Sequence, residues 1–158
     1  MNEVKDILKK MNINYDIVNH PPAWTTEEAD KYIEGYEGIR SKTMFMAGKK
    51  DKNFYLMILD ESKKMDIKKI STIIGDRLHF GKEEQLKEKL NLVPGMVSLF
   101  GLINNKDHDI KIYIDKNVLD EKIITFYPNN NTATMFITVE DMIKFIENLN
   151  YEYEIIDM

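Results

Sequence analysis

A lysine and two glycines are the residues of this chain that stand out as able to meet a ligand. The glycines punctuate the apolar stretch Leu92-Val93-Pro94-Gly95-Met96-Val97-Ser98-Leu99-Phe100-Gly101-Leu102. Pro followed by Gly marks a tight turn, because Pro presets φ and Gly supplies φ > 0. Gly101 has no side chain, so a ligand can approach the main chain there. Such a loop can aim backbone N–H groups at one point, as an acyl-transfer site needs for a developing oxyanion. The plainer reading of the same stretch is a strand with a glycine bulge. Lys42 opens an apolar run directly after a glycine-bearing loop, so its amine stands at a sheet edge. There it can pair with a phosphate or carboxylate or donate to a carbonyl, or simply be solvated. Asn131 and Thr132 form a second polar pair at a strand start, suited to a ribose, an amide, or an Asx-type turn.

Other chemistries lack their residues. Cysteine is absent, which removes disulfides, thiolate catalysis and Cys-based zinc sites and fits a cytosolic protein. His20, His79 and His108 lie far apart, outside any HxxxH or HExxH spacing, so no metal site is expected. His79 reads as a structural histidine in a short apolar strand, and His108 sits in an exposed polar turn. No GxSxG elbow, P-loop or dinucleotide fingerprint occurs, so neither a serine nucleophile nor a cofactor is expected.

The balance of 22 Lys and Arg against 27 Asp and Glu gives a net charge of −5. Extensive duplex binding is therefore disfavoured, whereas contact with a short nucleic-acid end stays open. Lysines at 49, 50 and 52, and at 63, 64, 68 and 69, can meet a few phosphates or form solvated turns. With 158 residues, one domain spanning 1–158 is the default. The charged opening lacks a secretory h-region, and no apolar run approaches the length of a membrane span.

The elements that must position these residues follow from periodicity. Val4, Ile7, Leu8 and Met11 predict an amphipathic helix, and Tyr15 to Val18 a short strand that ends at His20-Pro21-Pro22. Thr25 with Glu28 is a capping box opening a helix to about Glu34. Residues 43–47 and 54–59 predict a buried hairpin. Asp66 caps a helix stopped by Gly75, Arg77 to Phe80 form a short strand, and 82–91 a further helix. Strands follow at 110–114, 123–126 and 134–137, then a helix capped by Thr138 and a last strand at 153–156. The sum is a single α+β domain with a mixed, barrel-like sheet flanked by helices.

Taken in order, several segments resemble the YbaK/prolyl-tRNA synthetase editing-domain family. They are His20-Pro21-Pro22 with Thr25-Thr26-Glu27-Glu28-Ala29, Lys42-Thr43-Met44-Phe45-Met46, Arg77-Leu78-His79-Phe80, the central Pro94 to Asn104, and Phe126 to Thr134. The likeness runs from about Tyr15 to the C-terminus and is strongest to the free-standing alanyl-tRNA(Pro) deacylases of the ProX or PrdX branch. It implies hydrolysis of the ester joining alanine to the 3′ end of proline tRNA, as a second sieve acting in trans. It further implies Lys42, Gly95 and Gly101 as catalytic residues, with no dedicated protein base and help from the substrate 2′-hydroxyl. His20, Ser98, Phe100, Tyr127, Asn131 and Thr132 are the implied substrate-binding residues. The implied partner is the acceptor end of proline tRNA, with prolyl-tRNA synthetase or an elongation factor as further candidates, and no membrane. The chain departs from the family at Tyr127, where a histidine is usual, at Asn129, where a leucine is, and at Leu99, where a proline is. The first departure bears on amino-acid preference. Deacylation of cysteinyl-tRNA(Pro), and non-catalytic binding of aminoacyl-tRNA or proline, are the alternative readings.

Overall fold

Two sheets share one core in the computed structural model, which describes residues 1–158. The larger is built on an antiparallel pair, β2 (Ser41–Ala47) and β3 (Phe54–Asp60), in register from Ser41 opposite Asp60 to Ala47 opposite Phe54. β5 (Ile110–Asp115) adds parallel to β3, and β8 (Tyr153–Ile156) parallel to β5. On the other side of β2 lies β4, only His79–Phe80 long and paired with Met46 and Ala47 alone. The smaller sheet has the order β1 (Asp16–Asn19), β7 (Ala133–Thr138), β6 (Ile123–Phe126), all antiparallel.

Alternation along the strands builds the core. Phe45, Leu56, Ile112 and Ile114 face Ile124, Phe126, Met135 and Ile137 of the smaller sheet in one buried cluster. Met46, Met57, Leu59 and Tyr113 point to the opposite face. There the helix α3 (Ile67–Ile74) covers them with Ile70, its N-terminus capped by Asp66 and its end turned by Gly75 at φ +74°. α1 (Asn2–Lys10) and α5 (Val139–Asn148) bury Val4, Leu8, Met142, Phe145 and Ile146 into the main cluster. α4 (Glu83–Leu90) contributes Leu86 and Leu90.

The sheets meet without closing. Ile39 bridges Ile124, Ser41 Oγ donates to the Thr125 carbonyl, and Thr125 Oγ1 accepts from the Ser41 amide. Because β4 covers only the end of β2, the main-chain groups of Thr43 on that edge stay unpaired, between Ser41, which reaches Thr125, and Phe45, which reaches Gly81. The architecture is an open pair of sheets rather than a barrel.

The central stretch is no bulged strand. Pro94 and Gly95 turn the chain, with Gly95 at φ +91° and Met96 N–H reaching the Val93 carbonyl. Leu99–Asn104 then forms a 3₁₀ helix capped by Ser98. Leu99 and Leu102, three apart, bury on one face, and Phe100 stands edge-on to Phe126 and Phe145 at 5.6 and 5.2 Å. Helical spacing of the large residues overrides their strand-like composition.

Candidate active site

The free edge of β2 opens onto two connected hollows. The inner is a cavity of about 60 Å³ whose lining includes Asp30, Thr43, Glu61, Val97, Tyr127 and Thr134. The outer is a groove of about 370 Å³, bordered by Lys42, Met44, Phe80, Pro94 and Gly95 among others. Thr26, Ser41, Thr43, Val97 and Tyr127 line both, so the two are one site with a narrow end and a broad end.

Each wall has a local cause. α2 (Thr26–Tyr32) starts at the inner cavity because Thr25 Oγ1 accepts the Glu28 amide. Arg40 holds the far end of that helix by donating to the carbonyls of Ile33, Tyr36 and Gly38 at 2.8 to 2.9 Å. β6 and β7 turn Thr125, Tyr127 and Thr134 away from the core and toward α2. On β2, Phe45 presents its carbonyl to Gly81 N–H, so by alternation the main-chain groups of Thr43 face the groove too, without a backbone partner.

The turn supplies donors. The amides of Gly95, Val97 and Ser98 donate to no protein acceptor, and Gly95 and Val97 line the groove. Gly101 has a different task. Its amide donates to the Ser98 carbonyl at 3.0 Å, and a Cβ there would lie 2.7 Å from Leu92 Cδ1. It is a glycine of close packing beneath the loop, not a free oxyanion donor, because the 3₁₀ turn consumes its N–H. Phe100 is fully buried in the core. Ser98, also fully buried, donates to the Tyr127 carbonyl at 2.6 Å and accepts from the Phe100 amide at 3.2 Å. These residues shape the site from behind.

Lys42 borders the groove, but Nζ donates to the Lys63 carbonyl at 2.6 Å. Lys63 in turn pairs with the fully buried Asp115 at 2.8 Å, which anchors the segment Lys42 leans on. Asn131 and Thr132 are turn residues. Asn131 Nδ2 donates to the Ala23 carbonyl while the Ala23 amide returns a bond to Asn131, and Thr132 donates twice to Asn130 Oδ1. Neither lines the site; they pin the His20-Pro21-Pro22 corner to the β6–β7 connection. His20 likewise stands behind the wall, with Nε2 at 2.9 Å from Thr134 Oγ1. His79 is exposed and pairs with Asp51 at 2.6 Å, because its strand is a two-residue edge.

Asp30, Glu61 and Thr134 are functional candidates that sequence reasoning passed over. Burial, and then a hydrogen bond to the Asp30 carboxyl with the charges of Asp30 and Asp60, push Glu61 up to about 8, with Arg40 opposing. Burial, and next the charges of Asp30, Glu61 and Glu28, raise Tyr127, so its phenol keeps its proton at neutral pH. The only available signal for Thr134 was its parity on β7, opposite to the core residues Met135 and Ile137.

The chain is similar to known proteins along nearly its whole length. The model of the aminoacyl-tRNA editing domain matches residues 20–145. The chain is 31% identical over 153 residues to the prolyl-tRNA editing protein ProX of Acetoanaerobium sticklandii, covering 96% of this chain and 93% of that one. It is 28% identical to prolyl-tRNA synthetase associated domain-containing protein 1 of Bos taurus, covering 92% and 87%. A solved structure described as a candidate trans-editing enzyme for prolyl tRNA synthetase superposes with a TM-score of 0.78 at 17% identity, covering 99% of this chain and 94% of that one, a likeness of fold.

Proposed function

The chain belongs to the aminoacyl-tRNA editing domain family, and from that premise we propose that it removes alanine from mischarged proline tRNA by hydrolysing the 3′ ester. One observation carries the specificity: the step from a groove of about 370 Å³ to a cavity of about 60 Å³. The broad end suits a terminal adenosine, and the narrow end an acyl group as small as alanyl, its methyl and its amine together. A synthetase pocket that admits proline discriminates weakly against something smaller, by about 1–3 kcal/mol per methylene. A second site too tight for proline supplies the rest.

In this reading the ester carbonyl lies at the junction, beside Val97 and Tyr127. The unpartnered amides of Gly95 and Val97 stabilise the oxyanion as water adds. Tyr127, neutral and half-buried, closes the narrow end and can donate a hydrogen bond to the acyl group. Lys42 releases the Lys63 carbonyl to hold the 3′ end by its phosphate or carbonyl oxygen. The ribose 2′-hydroxyl assists proton transfer, and an aminoacyl ester is activated enough for positioning to suffice. The partner is the acceptor end of proline tRNA, met by few charges, in keeping with the net charge of −5.

Lys42→Ala tests the enzyme reading against the binder reading. Loss of at least about tenfold in kcat/KM on alanylated proline tRNA, with the thermal midpoint within a few degrees of wild type, is the expected result. Unchanged turnover removes Lys42 from the mechanism, and absence of turnover in the wild type removes the mechanism itself.

A further inference from the structure

The polar groups of the inner cavity are biased toward accepting hydrogen bonds. Thr134 is 4% exposed and lines the cavity, with Oγ1 2.9 Å from His20 Nε2. The other ring nitrogen, Nδ1, lies 2.9 Å from the Pro21 carbonyl oxygen. A carbonyl can only accept, so Nδ1 carries the hydrogen. In the neutral ring Nε2 is then an acceptor, and the Thr134 hydroxyl must donate to it. Tyr32 stacks on the imidazole at 5.1 Å with the planes 8° apart and fixes its orientation. With its one hydrogen spent on His20, Thr134 Oγ1 has only lone pairs left for the cavity.

The remaining charged groups point the same way. Asp30 and Glu61 both line the cavity, where burial and the neighbouring Asp30 hold Glu61 above its ordinary range. Arg40, the cation nearest them in the lining, has committed its guanidinium to three carbonyls. Thr125 Oγ1 is consumed by the Ile39 carbonyl and the Ser41 amide. The hydroxyls of Thr26, Thr43 and Tyr127 can rotate to either role. An occupant that satisfies this set brings several N–H donors and a positive charge into a small space.

We propose that the inner cavity is a receptor for the α-ammonium group of an aminoacyl ester, held between Thr134 Oγ1 and the Asp30–Glu61 carboxyl pair. His20 is the positioning residue that sets the polarity of Thr134. This inference rests on the site accepting an aminoacyl ester and deepens that reading: the ligand class is an ester or amide with a free α-amine. Acyl groups without one are rejected, because the buried acceptors would be left unpaired.

The test compares two hydrolysis-resistant probes by calorimetry, adenosine carrying a 3′-amide-linked alanyl group and the same compound with a propionyl group, which lacks only the amine. Wild type is expected to bind the alanyl probe at least about tenfold more tightly. Thr134→Val and the double variant Asp30→Asn, Glu61→Gln should shrink that preference to within about twofold. His20→Leu should shrink it as well. His20→Gln, whose amide oxygen can accept from Thr134, should restore it. A merely structural role for His20 would move both affinities together. Equal affinity of the two probes for wild type, or no binding of either at millimolar concentration, overturns the proposal without relying on any variant. Turnover of alanylated tRNA is measured separately. Turnover without an amine preference sinks this inference and leaves the editing reading standing, and an amine preference without turnover does the reverse.

Discussion

Ser98 Oγ donates to the main-chain carbonyl of Tyr127 across 2.6 Å, tying the central turn to the strand end that walls the inner cavity. Asn129 Nδ2 adds a second tie, to the Phe100 carbonyl at 3.1 Å. The donors of the turn and the small cavity are therefore one rigid unit. Ser98→Ala strips a fully buried acceptor and donor pair of its link. It should cost about 1–3 kcal/mol in urea unfolding, and raise KM or lower kcat beyond what the loss of folded protein explains. A stable variant with wild-type kinetics would show that the two parts of the site are not coupled.

The two glycines should separate cleanly. A Cβ on Gly101 would stand 2.7 Å from Leu92 Cδ1 and 3.1 Å from Leu90 Cβ, so Gly101→Ala should destabilise by about 1–3 kcal/mol through overpacking. A Cβ on Gly95 would clear Trp24 Cε3 by 3.6 Å, and the strain there comes from φ +91° alone. Gly95→Ala should shift stability less and deacylation more, because its main chain borders the groove. Paired melting curves and kinetics on both variants check this, and the opposite pattern would return the donor role to Gly101.

Glu61 gives the fold a pH signature. Its folded value, near 8, lies above its ordinary 4.5, so the native state holds a proton that the unfolded chain has released. The native state is favoured below about pH 4.5, and that advantage fades as pH rises through about 8. Glu61→Gln cannot lose the proton, so its thermal midpoint should gain on wild type between pH 5 and pH 9. Parallel curves over that window would mean that burial and Asp30 do not hold Glu61 above its ordinary value.

Periodicity carried most of the fold. The strand at Ile110–Asp115 stands where alternation places it, those at Ile123–Phe126 and Tyr153–Ile156 where the sequence suggests them, and Thr25, Asp66 and Thr138 cap the helices they were expected to cap. Local signals failed where long-range contacts decide. Leu99 to Leu102 read as a loop or a strand with a glycine bulge, and packing against Phe126 and Phe145 makes it a 3₁₀ helix instead. Within the site, Lys42, Gly95 and Tyr127 were legible as chemistry-bearing residues and border the hollows. Asp30 and Glu61, 31 positions apart in sequence, gave no sign that they meet. His20 was legible as a site residue, but its place behind Thr134 depends on a bond spanning 114 positions, which no local pattern encodes.

The central claim is that a small cavity sorts the acyl group by size. Its most direct test offers wild-type protein proline tRNA charged separately with alanine, cysteine, serine and proline, and follows loss of the amino acid. Alanine should be released at least about a hundredfold faster than proline, which should leave at its spontaneous rate. Release of proline as fast as alanine, or of no amino acid above the spontaneous rate, would contradict the account.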